Sequence, residues 1–138
     1  MANGPPRFWC LVVKPQIGLS TPEVYRWFDE DQLYPSKTAS ISLTLTGKLH
    51  IIKRLIQQNK PAEEWGQYVF NTFEPTVYSR FSELFQLYRT LKAFEVHGVA
   101  LSGSGSAIFA ILSSKEQGFE IQKQLKNFHA DSWVVHSL

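Results

Sequence analysis

The stretch that decides the fold is Val99–Leu112, VALSGSGSAIFAIL, a Gly/Ser alternation held between two apolar runs. Val99, Ala100 and Leu101 lead in and Ala107 to Leu112 lead out, so the polar segment is anchored to buried structure at both ends. Two short apolar runs joined by a glycine-bearing turn read as a β-hairpin. Gly103 and Gly105 permit positive φ and close approach of a ligand to the backbone. Successive N–H groups in such a loop can converge on an anion, with the hydroxyls of Ser102, Ser104 and Ser106 as further donors. Two readings stay open here, a phosphate-side loop or a plain turn between strands. The loop is not a P-loop, because no Lys-Ser/Thr pair follows. Nor is it the dinucleotide fingerprint, since Ile108 stands where the third glycine belongs and a strand follows instead of a helix.

Upstream, Phe8–Val13 (FWCLVV) is a near-continuous apolar run, the pattern of a strand covered on both faces. Ser20 and Thr21 are N-cap candidates, Pro22 suits a first helical turn, and Glu23 complements the helix dipole. In that helix Val24, Trp27 and Phe28 form one core-facing stripe at i, i+3 and i+4. Tyr25 lies about 100° from Val24 at the border of the stripe, where its ring can edge a cleft. Asp29–Lys37, with Pro35, reads as a loop. Ser40–Thr46 reads either as a strand or as an irregular lead into the helix that carries Leu49, Ile52, Leu55 and Ile56. A helix from Ala62 to about Phe73, an interruption at Pro75 and a helix through Phe81–Leu91 follow, with Gly98 in the position of a helix C-cap. Beyond the hairpin, Lys115–Asn127 predicts a helix and Trp133–Val135 a strand. Trp9, Trp27, Trp65 and Trp133 all fall on apolar patterns and read as core. The order strand, helices, two strands, helix, strand predicts an α+β domain: a mostly antiparallel four-stranded sheet with helices packed on one face, ferredoxin-like in plan.

Composition narrows the function classes. The 138 residues suit one domain, and 43% hydrophobic with 14% aromatic content argues for a packed core. A net charge of +2 with scattered Lys48, Lys53, Arg54, Arg80, Arg89 and Lys92 gives no basic stripe, so no nucleic-acid partner is expected. Cys10 is the sole cysteine, which leaves neither a disulfide framework nor a metal cluster. His50, His97, His129 and His136 lack metal-ligand spacing, and Asp29, Glu30 and Asp31 read as a solvated helix end. Apolar runs of about six residues are too short for a membrane span or a signal core, so a cytoplasmic protein is expected, a plastid being the alternative.

Three segments together resemble the C-terminal half of the GHMP small-molecule kinases. They are Val13–Tyr25 (VKPQIGLSTPEVY), Asn71–Pro75 (NTFEP) and Leu101–Ser106 (LSGSGS). The first two are most similar to the 4-diphosphocytidyl-2-C-methyl-D-erythritol kinases within that superfamily. The resemblance covers Phe8 to Leu138, with residues 1–7 as a linker or artificial start. It implies that Ser102, Gly103, Ser104, Gly105 and Ser106 lie beside the ATP phosphates. It implies that Tyr25 stacks on the substrate cytosine, with Thr21 on the substrate side, and that Asn71, Glu74 and Pro75 shape a helix break beside the cleft. Thr72 stands where that family has an aspartate, and Leu101 where it has methionine. The glycine loop, catalytic aspartate and lysine of such kinases come from an N-terminal half for which the residues before Phe8 leave no room. The expectation is therefore a substrate-side domain with no catalytic residue and no metal ligand of its own, inactive alone. ATP and Mg²⁺ belong to the complete enzyme, and none is expected to bind this chain tightly. The implied partners are the small-molecule substrate, ATP and the missing half, or a second copy through the exposed inter-domain face, with no membrane partner. A stand-alone ferredoxin-like ligand-binding or regulatory module is the alternative function.

Overall fold

A computed structural model of the protein describes residues 7–33 and 38–137, with 38–46 as backbone only. The elements run β1 (Trp9–Pro15), α1 (Thr21–Gln32), α2 (Thr38–Gln57), α3 (Ala62–Trp65), a 3₁₀ turn (Gly66–Tyr68), α4 (Glu74–Tyr78), α5 (Ser82–Ala93), β2 (Gly98–Leu101), β3 (Ile108–Leu112), α6 (Lys115–Gln124) and β4 (Ala130–His136). The four strands form one sheet in the order β2-β3-β1-β4, with every neighbouring pair antiparallel. This is the α+β, ferredoxin-like plan read from the sequence: β2 and β3 form the hairpin, and β1 lies between β3 and β4. The helices do not all lie on the one face expected, because α2 and α3 pack against the other side.

Strand alternation distributes the side chains between two faces. Leu11 and Val13 of β1, with Ile108, Ala110 and Leu112 of β3, face the main core and meet Val24 of α1, Val77 of α4, Leu84, Leu87 and Leu91 of α5, and Ile121 of α6. Cys10, Phe109 and Ile111 turn to the reverse face, where Ala62 and Trp65 of α3 and Leu55 and Ile56 of α2 make a smaller cluster. That cluster does not reach β4. Trp133, which pairs with Val12 on the same face, is 49% exposed, so it is not the core residue its pattern predicted. The periodicity is real, but β4 is an edge strand and nothing among the described residues covers that side of it.

Several boundaries differ from the sequence reading. Asp29 to Gln32 continue α1 instead of opening a loop, and Asp31 is fixed there by Arg80 and Thr76. The remainder of the expected loop, residues 34–37, lies outside the described residues, as do 1–6 of the expected linker. The Ser40–Thr46 backbone belongs to α2, which settles that segment as helix. The helix expected over Ala62–Phe73 stops at Trp65; one 3₁₀ turn follows and the chain is extended at Val69 (ψ 141°). Packing causes the break. Gly66 lies against the His97 carbonyl, and a Cβ at Gly98 would collide with the Gly66 carbonyl oxygen. Gly98 is therefore a close-approach residue at the start of β2; α5 ends at Ala93 with Phe94 in extended backbone. Pro75 starts α4 within its first turn, where its missing N–H costs nothing.

Candidate functional site

The β2–β3 hairpin loop and the start of α1 meet at one end of the sheet. Gly103 (φ 58°) and Gly105 (φ 94°) both take the backbone region that favours glycine. At Gly105 space adds to the requirement, because a Cβ there would lie 2.7 Å from Leu19 Cδ1. The Ser102 N–H donates to the Ala107 carbonyl at 2.8 Å and the Gly105 N–H to the Ser102 carbonyl at 3.0 Å, closing the loop on itself. The N–H groups of Gly103 and Ser104 have no partner among the described residues.

The five loop residues expected on the phosphate side are not equivalent. Ser102 and Gly103 are exposed, and Ser104 and Gly105 are half-buried. Ser106 is buried, and its hydroxyl faces the Pro15 carbonyl at 3.3 Å. Its side chain thus ties the loop to the end of β1 and is not available as the ligand donor its sequence position suggested. Sequence alternation alone could not show this, because the direction of each serine is set by the glycines between them.

Ser20 caps α1, its hydroxyl accepting from the Glu23 N–H at 3.4 Å. The next residue joins the two elements: Thr21 Oγ1 and Ser104 Oγ are 3.0 Å apart. Tyr25 follows four residues on, on the same face of α1 and about 6 Å further along its axis. Tyr25 is 53% exposed. It meets the Phe73 ring edge-on, with centroids 4.9 Å apart at 77°. Thr21 and Ser104 thus meet in the first turn of the helix that carries Tyr25.

The NTFEP segment supports the loop from beneath. Asn71 Nδ2 donates to the Leu101 carbonyl at 2.8 Å and the Gly103 carbonyl at 2.7 Å. Its N–H donates to Glu74 Oε1 at 2.7 Å, and its Oδ1 accepts the Phe73 N–H at 2.8 Å. Burial pushes the Glu74 carboxyl above its usual range, the Asn71 N–H opposing that only in part. Glu74 Oε2 and the Tyr78 hydroxyl are buried without a hydrogen bond of good geometry, and burial followed by the Glu74 charge pushes the Tyr78 hydroxyl strongly upward. Thr72, in the position of the family aspartate, is exposed. The sequence pattern makes Phe73 one apolar member of a helix; instead it wedges between Tyr25 and Phe28. The asparagine two residues before it is the available signal, since Asn favours turns that its own side chain closes.

Among the described residues no three His, Cys, Asp or Glu side chains converge to hold a metal ion. No helix of the described residues is long and apolar enough to cross a membrane. Cys10 is half-buried, and burial pushes its thiol up to about 11.

Residues 52–131, which carry the Asn71–Pro75 turn and the β2–β3 hairpin loop, match the family model described as GHMP kinases C terminal. The chain belongs to that family. It is 26% identical over 131 residues to the 4-diphosphocytidyl-2-C-methyl-D-erythritol kinase of Symbiobacterium thermophilum, covering 94% of this chain and 43% of that protein. The kinase of the same name from Shouchella clausii is 27% identical, with 95% and 40% covered. The fold is shared with L. major mevalonate kinase, solved with R-mevalonate, at a TM-score of 0.79 and 21% identity over 96% of this chain and 43% of that one. It is shared too with a 4-(cytidine 5'-diphospho)-2C-methyl-D-erythritol kinase at 0.67 and 20%, over 99% and 45%. This chain thus spans less than half the length of the relatives it matches.

Proposed function

We propose that this chain is the substrate-side C-terminal domain of an ATP-dependent kinase that phosphorylates the 2-hydroxyl of 4-diphosphocytidyl-2-C-methyl-D-erythritol in non-mevalonate isoprenoid synthesis. The observation that carries the reading is the 3.0 Å contact of Thr21 with Ser104, which sets the glycine-serine loop beside the helix bearing Tyr25. An exposed ring one helical turn from Thr21, beside a loop whose Gly103 and Ser104 N–H groups have no partner among the described residues, suits a ligand with a base at one end and phosphate at the other. The names of the relatives supply the particular base and alcohol.

In the proposed reaction the alcohol oxygen attacks the γ-phosphorus, ADP departs, and the alcohol proton passes to a base. This chain's part is to hold: Tyr25 would carry the cytosine, while the N–H groups of Gly103 and Ser104 and the hydroxyls of Ser102 and Ser104 would face phosphate oxygens. Glu74, the carboxylate of the turn beneath the loop, does not fit a Mg²⁺ ligand, because it turns Oε1 to the Asn71 N–H and buries Oε2. ATP and Mg²⁺ are accordingly assigned to the complete enzyme, and turnover to this chain joined with an N-terminal half.

Calorimetric titration with cytidine 5'-diphosphate tests the binding role. Losing a base–aromatic stack costs about 1–3 kcal/mol, so Tyr25→Ala should weaken binding about tenfold. Unchanged affinity in that variant, or binding of an unrelated effector at the loop in place of the nucleotide, would favour the stand-alone ligand-binding module. A kinase assay with and without a complementing N-terminal half tests the catalytic assignment, with activity expected only when both are present.

A further inference from the structure

One four-residue turn, Asn71–Glu74, touches both halves of the candidate site. Every polar group of Asn71 is engaged: the amide on two loop carbonyls, Oδ1 on the Phe73 N–H, the N–H on Glu74 Oε1, and the carbonyl on the Glu74 N–H at 3.0 Å. The two pinned carbonyls orient the loop. In a trans peptide unit the C=O and the following N–H point in opposite directions. Holding the Leu101 carbonyl toward Asn71 sends the Ser102 N–H across the hairpin, where it meets the Ala107 carbonyl. Holding the Gly103 carbonyl sends the Ser104 N–H, which has no partner among the described residues, away from the turn.

Two residues on, the same turn grips α1. The Phe73 ring stands edge-on to Tyr25 at 4.9 Å and to Phe28 at 5.3 Å, a wedge between residues three apart on the helix. Its own N–H is held by Asn71 Oδ1. The loop and the ring are therefore joined twice, directly through Ser104 and Thr21 at the exposed rim, and from beneath through a turn with no free polar group on its asparagine.

We propose that Asn71 and Phe73 are positioning residues that couple the direction of the loop amides to the placement of the Tyr25 ring. The separation between the loop N–H groups and the ring then follows from the turn and not from the exposed rim. Selection of ligands whose base and phosphate are held at that separation is the consequence. This consequence rests on the nucleotide reading above; the coupling itself does not.

Solution NMR of the full chain without ligand tests the coupling. Asn71→Asp keeps the shape but sets an acceptor against two carbonyls, and Phe73→Leu removes the wedge while keeping an apolar side chain. In Asn71→Asp, hydrogen exchange at the Ser102 and Gly105 amides should rise about tenfold, and the Tyr25 ring resonances should shift together with it. In Phe73→Leu the Tyr25 resonances should shift, and the same two loop amides should exchange faster by about threefold. If Asn71→Asp leaves Tyr25 unmoved, or Phe73→Leu leaves both loop amides at the wild-type rate, the two halves are independent and the proposal is wrong. Should Asn71→Asp lose its dispersed spectrum, Phe73→Leu decides alone. Titration then separates this proposal from the nucleotide reading. Asn71→Asp should lose about tenfold in affinity for cytidine 5'-diphosphate and little for cytidine. A wild-type chain that binds neither overturns the nucleotide reading, while the exchange rates still decide whether loop and ring are coupled.

Discussion

Glu74 shows how one buried group sets a pH dependence that its sequence position hides. Its carboxyl is held above the ordinary value near 4.5, chiefly by burial. Below that ordinary value both folded and unfolded states carry the proton, and the stability is complete. As pH rises through the window above it, the unfolded chain releases the proton first, so stability is lost until the folded group has titrated as well. Urea unfolding of the wild-type chain is therefore expected to give a contribution from Glu74 that falls as pH rises above its ordinary range. Glu74→Gln keeps an acceptor for the Asn71 N–H and should flatten that dependence; a variant as pH-dependent as the wild type would contradict the assignment. The motif places Glu74 beside the loop but carries no sign of its burial, which depends on α4 folding back against the loop base.

Among the elements, α1 is the one on which the site is built, and it is secured at both ends. Ser20 caps its start, a local signal readable from Ser-Thr-Pro-Glu. Its far end is held by a long-range contact: Arg80 grips both Asp31 oxygens at 3.0 Å, Thr76 donates to Asp31 at 2.9 Å, and the guanidinium lies 5.3 Å over the Trp27 ring. The Arg80 hydrogen bonds hold the Asp31 carboxyl below its ordinary value near 3.8. Its sign is opposite to that of Glu74, since the contribution is present above the ordinary value and disappears only as pH falls through the lowered one. Both side chains are partly exposed, so Asp31→Asn should cost about 1 kcal/mol near neutral pH, read by thermal or urea unfolding. A loss several times larger would mean that the link is buried more deeply than the geometry shows. From sequence alone Asp29–Lys37 reads as a loop, because polar residues and Pro35 outweigh propensity in a short window. The partners that keep Asp31 helical lie in α4 and in the turn that follows it, 45 and 49 residues away.

In the whole molecule, the two faces of the sheet have unequal cover. The main-core face meets α1, α4, α5 and α6, whereas among the described residues the reverse face meets α2, α3 and the 3₁₀ turn and leaves Trp133 and Val135 of the edge strand exposed. Leu84→Ala should therefore destabilise by about 2–5 kcal/mol, the range for a buried leucine whose cavity closes only in part. Trp133→Ser should change stability by less than about 1 kcal/mol, and equal losses in the two variants would mean that the reverse face is packed as well. The hydrophobic periods, the glycine punctuation and the hairpin segment were enough to determine the mostly antiparallel plan and the place of the glycine-serine loop, because those signals are local and recur at the spacing of the backbone; that Ser40–Thr46 is helix and not a further strand came from the structure. Tertiary structure alone decided which serine turns inward, where the Ala62 helix breaks, which tryptophan stays outside, and that Asn71 and Phe73 bridge loop to ring. Each of these depends on a partner distant in sequence: the Pro15 carbonyl for Ser106, the Gly98 backbone for Gly66, an uncovered edge for Trp133, and α1 for Phe73.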